Sequence, residues 1–129
     1  MKSISTFPIY ELNKYTEIFP GYAFKSDLFS ENENDIPLVK GENLQQENID
    51  WSIAKRWPKT ETNGLEKYFL LFNDIVIAMD RPWVTAGLKW AYIKKDYPKS
   101  LLVQRVARLR AKKGLDQYFL RYLIASQYF

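Results

Sequence analysis

The 129-residue chain contains no cysteine and no histidine. The first absence excludes disulfides and thiolate metal sites. The second removes the commonest general base and the commonest metal-binding side chain. No apolar run approaches the roughly 20 residues that a membrane-spanning helix needs. The N-terminal MKSISTFPIYELNK lacks the apolar centre of a secretion signal. A cytoplasmic protein with no membrane partner is the expectation. Glycine is scarce, five residues scattered singly, so there is no glycine-rich turn to cradle a cofactor after a strand. A metal-dependent nuclease needs clustered carboxylates and a lysine, and only Glu61, Glu66 and Lys67 approach that pattern. The absences argue for binding over catalysis, with no metal and no cofactor.

Acidic residues are also scarce toward the C-terminus. Residues 81–129 hold 11 Lys/Arg and 2 Asp/Glu, a net of +9, whereas residues 1–80 hold 8 and 13, a net of −5. A basic third of this kind is the footprint of a phosphate binder, or a solvated basic surface. Aromatics reach 16%, enough to fill a core or to offer contact surface. Four tryptophans are too many for a small core, which predicts one or two at the surface or an interface. The length suits a single domain.

Along the chain, PIYELNKYTEIF reads as strand or short helix, closed by Pro20-Gly21. Residues 22–29 read as a turn with one helical turn. IPLVK (36–40) is a short apolar strand, and residues 41–64 form a polar, irregular loop, unusually long for a compact domain. Asn73-Asp74 is a turn before a strand at 75–79, which Arg81-Pro82 breaks. Residues 88–94 form another strand. The closing GLDQYFLRYLIASQYF is a helix with Asp116 as N-cap and Arg121 on its outer face. The sum is an α+β domain, a mixed twisted β-sheet with a few helices.

SLLVQRVARLRAKKG (100–114) admits two readings. As a helix it has Ser100 and Gly114 as caps and a basic stripe of Arg105, Arg108 and Lys112. As a strand it puts Leu101, Val103, Arg105, Ala107 and Leu109 on one face, and Gln104, Arg108 and Arg110 on the other. Periodicity alone favours the helix.

Five segments in order resemble the specificity subunit of type I restriction–modification enzymes, and within it one target recognition domain. They are GYAFKS (21–26), IPLVKGENL (36–44), FNDIVIAM (72–79), LLVQRVARLR (101–110) and FLRYLIASQYF (119–129). Together they cover about residues 10–129. Asn73 stands where that family usually has Gly, Val103 where Asn is common, and Gly41-Glu42 where an apolar-Gly pair is usual. The resemblance implies that 101–110 is a strand. It also implies a single recognition domain over 1–129, half of a specificity subunit. The long spacer helices that join two such domains are absent, as in a fragment, a truncated gene product or a reservoir copy.

What the resemblance implies functionally is non-catalytic recognition of one half of a split DNA target. The partners would be double-stranded DNA, the methyltransferase and restriction subunits, and a second recognition domain or a homodimeric copy. Candidate base readers are Lys40, Asn43, Gln45, Gln46, Lys55 and Arg56 after the second strand, and Arg81, Thr85 and Lys89 after the third. Candidate phosphate contacts are Lys25, Arg108, Arg110, Lys112 and Lys113, with Tyr22 flanking the groove. The competing structural readings place Tyr22 and Phe24 in the core. They make Gln104 and Arg105 internal, and the other cations a wet surface. Two other functions compete: a protein-interaction module that binds a methyltransferase subunit, and a small metal-dependent nuclease.

Overall fold

The computed structural model describes residues 14–79, 83–84 and 87–126. The expected break at Arg81-Pro82, the candidates Arg81 and Thr85, the N-terminal part of the first expected strand and residues 127–129 lie outside these. Eleven strands are described: β1 (Thr16–Pro20), β2 (Ile36–Val39), β3 (Leu44–Gln45), β4 (Asn48–Ile49), β5 (Arg56–Trp57), β6 (Ile75–Ala78), β7 (Trp83–Val84), β8 (Gly87–Leu88), β9 (Trp90–Tyr92), β10 (Leu101–Leu102) and β11 (Val106–Ala111). An α-helix, α1, spans Gln117–Ser126.

The principal sheet has the order β1-β11-β6-β9 and is antiparallel throughout. A second sheet, β10-β2-β5, is mixed: β10 runs parallel to β2, and β5 antiparallel to it. Two hairpins, β3-β4 and β7-β8, complete the set. The mixed α+β class therefore holds. The long loop expected at 41–64 is more structured than its polarity suggests. It contains the β3-β4 hairpin, β5 and two short 3₁₀ turns at Trp51–Ile53 and Lys59–Glu61.

β6 reads Ile-Val-Ile-Ala because both its faces are covered, and all four residues are buried. On one face Val76 and Ala78 pack with Val39, Leu102, Val106, Ala91 and Ile93. On the other, Ile75 and Ile77 pack with Ala107, Leu109 and Trp90 under Leu120 and Ile124 of α1. Those helix residues are four apart and share one face. Full burial of each contributes roughly 2 kcal/mol. Asp116 caps α1 as expected, its carboxylate accepting from the Tyr118 N–H at 2.9 Å. A third cluster, with Phe24, Leu38, Trp57 and Leu101, lies around the second sheet. Trp57 and Trp90 are buried, Trp51 half-buried against Tyr97 at a centroid distance of 5.2 Å.

Residues 100–114 form neither one helix nor one strand. β10 ends at Leu102, the chain turns through 103–105, and β11 begins at Val106. Arg105 has φ of 72° and its carbonyl accepts from the Met79 N–H. The turn overturns the expectation that Gln104 and Arg105 are internal, because it lifts both side chains out of the strand and exposes them. Ser100 is buried and caps nothing, and Gly114, at φ of 101°, sits in the turn before α1.

Arg108 and Arg110 also depart from the expected surface role. Both faces of β11 are covered, so its outward-reading alternation points into protein. Arg108 is 5% exposed. It donates to Lys67 O and to Glu17 Oε1, each at 3.1 Å, and stacks on Phe19 at 4.4 Å. Burial holds its pKa below the usual arginine value. Arg110 grips both oxygens of buried Asp74, at 2.6 and 2.8 Å, and this bond raises its pKa. Asp74 also accepts from the Leu71 N–H at 2.7 Å, which closes the 71–74 turn. Asn73, in the same turn, has φ of 74°. Glycine and asparagine are the residues that tolerate that conformation best. Arg121, expected on the outer face, is half-buried. It stacks on Tyr92 at 3.9 Å and donates to Asn73 Oδ1 at 3.0 Å.

Among the described glycines, Gly21 alone packs directly against another stretch of backbone. A Cβ there would lie 2.2 Å from Val103 O and 2.3 Å from Val103 C, both backbone atoms.

Two stability predictions follow from these contacts. Arg110→Met leaves the Asp74 carboxylate buried without its cation and lowers unfolding free energy by about 3 kcal/mol in urea titrations. Adding Asp74→Asn restores most of that loss, because the neutral amide still accepts from Leu71. Gly21→Ala forces backbone apart and destabilises by at least about 2 kcal/mol, a fall in Tm of roughly 6 °C by calorimetry.

Candidate nucleic-acid interface

Three of the five segments singled out in the sequence are hydrogen-bonded together. The Gly21 N–H donates to Val106 O and the Tyr22 N–H to Leu102 O, each at 3.0 Å. The Gln104 N–H returns to Tyr22 O at 2.9 Å, and Tyr22 bridges Val103 in parallel. On the other side of the same backbone, the Val103 N–H donates to Val39 O at 3.1 Å. GYAFKS, IPLVKG and LLVQRV thus meet along one line, and β6 joins them through the bond from Met79 to Arg105.

Where they meet there is a cleft of about 300 Å³. Phe24 and Phe29 form apolar wall. Lys40, Gln104 and Arg105 supply polar side chains, and Gly41 and Ala78 also line it. Lys40 is half-buried, its Nζ 5.2 Å from the Phe29 ring centroid and 3.0 Å from Glu42 Oε1. Lys25 is exposed immediately before Ser26, which also lines the cleft. Tyr22 is 39% exposed, with its ring against Phe24 and Tyr68, and does not line the cleft, while Phe24 belongs to the core.

The other candidates divide by what their polar atoms already do. Asn43 is fully buried. Its Oδ1 accepts from the Lys40 N–H at 2.8 Å, and its Nδ2 donates to Leu38 O at 3.1 Å. The amide is consumed in shaping the 40–43 turn and is not presented to a ligand, which corrects its assignment as a base reader. Lys89 is half-buried, with Nζ donating to Gly41 O at 2.6 Å, so it braces the same turn. Gln45 is exposed and accepts from Asn48 within the hairpin, and Gln46 is half-buried beside it. The hairpin is moored near Lys89 by the Glu47 N–H bond to Trp90 O.

Lys55 and Arg56 line a second hollow of about 490 Å³ together with Glu31 and Glu42. Arg56 donates to Asp35 O at 3.2 Å, and Lys55 is exposed. Asp35 takes bonds from the Ser30 hydroxyl and the Lys59 N–H, which hold its pKa below the usual aspartate value. Lys112 and Lys113 are exposed but follow β11, whereas Arg105 precedes it. At about 3.4 Å per residue the strand separates them by roughly 20 Å.

The expected basic carpet is therefore not one patch. Arg108 is buried, Arg110 is half-buried and bound to Asp74, and the rest divide between the two ends of the sheet. The cleft brings together Lys40, Gln104 and Arg105, and the last two were missed as exposed groups. A strand-length period hides the turn, which the Val106 N–H closes onto Val103 O at 3.2 Å with a positive φ at Arg105.

Among the described residues no group of three or more His, Cys, Asp or Glu is placed to hold a metal ion. Glu66 accepts from the Gly64 N–H, and Glu61 lies in a separate 3₁₀ turn. No described helix is long and apolar enough to cross a membrane.

No family model matches the chain. It is 38% identical over 90 residues, 70% of its length, to the type I restriction enzyme EcoAI specificity subunit of Escherichia coli. It is 30% identical over 122 residues, 94% of its length, to the MjaVIII specificity subunit of Methanocaldococcus jannaschii. The chain spans 15% and 28% of those relatives. Its fold is similar to the crystal structure of the HsdS subunit from Thermoanaerobacter tengcongensis, with a TM-score of 0.59 and 15% identity, over 88% of this chain and 26% of that one. A chain from a structure describing complex assembly and conformational transition of the type I R-M system gives 0.61, also at 15% identity, over 90% and 26%. In sequence the chain is a homologue of type I restriction enzyme specificity subunits over a part of their length, and its fold is similar to that of solved chains of this kind.

Proposed function

We propose that residues 1–129 form one target recognition domain, a non-catalytic component that reads one half of a bipartite duplex target for a type I restriction–modification complex. Methyltransferase and restriction subunits supply the chemistry. The observation that carries this reading is the cleft in which three family-like segments present Lys40, Gln104 and Arg105 together. Arginine or lysine meets the O6/N7 edge of guanine, and glutamine the N6/N7 edge of adenine. Each good bidentate pair discriminates by about 1–3 kcal/mol. Lys25 and Lys55, exposed at the same end, displace counterions from phosphates and set the register. Gln45 and Gln46 extend the reading surface along the β3-β4 hairpin. Lys112 and Lys113, at the far end of β11, do not share this footprint.

One observation favours a second reading, a protein-docking module. Leu71, Phe72, Tyr118, Phe119 and Tyr122 are all at least half exposed, at 50–66%, around the opposite end of the sheet and the outer side of α1. Such a surface suits a partner subunit and is compatible with the first reading.

The test is a low-salt mobility shift with random-sequence duplex. Lys40→Gln/Arg105→Gln is expected to lose at least about tenfold in affinity. Lys112→Glu/Lys113→Glu stays within about twofold of the parent, since those charges lie some 20 Å away. Parent-like binding by the cleft variant overturns the assignment, and a parent chain that shifts no duplex at any salt overturns DNA recognition altogether.

A further inference from the structure

We propose that Glu42 is a specificity-determining residue that keeps Lys40 from the phosphates of non-target DNA. This rests on the recognition reading above. Lys40 and Glu42 sit two residues apart in one turn, with Nζ and Oε1 3.0 Å from each other. The turn is stiff. The Asn43 side chain ties the Lys40 N–H to Leu38 O, and the Asn43 and Leu44 N–H groups both donate to Lys40 O. The Gly41 carbonyl between them takes the Lys89 ammonium. That frame fixes the backbone from which the two side chains reach each other.

The pair stands on the wall between two hollows. Lys40 lines the cleft with Gln104 and Arg105, and Glu42 lines the neighbouring hollow with Glu31, Lys55 and Arg56. A phosphate approaching Lys40 meets the Glu42 carboxylate already beside it. Glu42 is thus a resident competitor: its oxygen occupies the position at Lys40 that a phosphate oxygen needs.

Magnitudes decide what such a competitor does. Exposed ion pairs of this type, with side chains 27% and 45% exposed, shift an equilibrium by at most about fivefold. That is enough to offset one lysine–phosphate contact. It is too little to resist a well-formed base contact, which discriminates by about five- to 150-fold. Sequence-independent binding is therefore suppressed more than target binding.

The test measures affinity of the full chain for random-sequence duplex by fluorescence anisotropy across a salt series, in parent, Glu42→Gln, Lys40→Gln and the double variant. Glu42→Gln is expected to raise affinity about threefold to fivefold. It is also expected to steepen the slope of log K against log salt by about 0.9, the signature of one more phosphate neutralised. In the Lys40→Gln background the same change alters neither quantity. An equal gain in both backgrounds means that Glu42 acts only through net charge, and overturns the inference, as does no gain at all in the parent background. If no variant binds duplex, the recognition reading fails and takes this inference with it.

Discussion

The close approach of Gly21 to the backbone of Val103 is the constraint on which the candidate site depends. With no side chain at position 21, the end of β1 lies against the connection between β10 and β11, and its N–H reaches Val106 O. That contact lets Tyr22 bond to the 102–104 backbone on one side while β2 bonds to it on the other. Three strands from two sheets are thereby brought to one point. The short turn at 103–105 then has nowhere to put Gln104 and Arg105 except outward, beside Lys40. The geometry of the cleft is a consequence of backbone packing, and its chemistry follows from which side chains the turn ejects.

Charge tells a different story in sequence and in space. The C-terminal excess of cations looks like one continuous basic surface when counted along the chain. In the fold it is divided by use. Arg108 and Arg110 hold β1, β6 and the 71–74 turn to β11 through Glu17, Asp74 and the Lys67 carbonyl. Arg121 fastens α1 to Asn73 and Tyr92. These arginines, one buried and two half-buried, fasten a chain with no disulfide. Lysines remain mostly outside, and several lie over aromatic rings, as Lys95 over Phe72 and Lys99 over Phe69. The division follows the chemistry of the two groups: a planar guanidinium serves several fixed acceptors at once, whereas an ammonium is strongly hydrated and stays in water.

Legibility varied with the range of the interactions involved. The 75–79 strand, the 36–40 strand and the Asp116 cap were readable because apolar runs and capping side chains act within a few residues. The Asn73-Asp74 turn was readable for the same reason, although its function as the anchor of Arg110 was not. The strand reading of 101–110 came from resemblance against periodicity, and it holds on either side of a turn that neither signal revealed. Residues 41–64 looked like a loop because β3, β4 and β5 are two residues each, too short for any alternation to register. Among the site candidates, Lys40 lines the cleft, whereas the Asn43 amide is spent within its own turn. A buried amide that organises a turn and an exposed amide that reads a ligand look the same in one dimension.

The sequence by itself determined the class of the molecule. Without cysteine, histidine or a long apolar run it is an α+β domain with a basic end, and its five ordered segments point to a specificity-subunit recognition domain. Only the tertiary structure decided which cations face water and which acceptors claim the others. A strand's alternation says that two neighbours point apart, not what covers either face. β11 is covered on both, so Arg108 is buried and Arg110 is held by Asp74, and the exposed polar side chains came instead from the turn that precedes it.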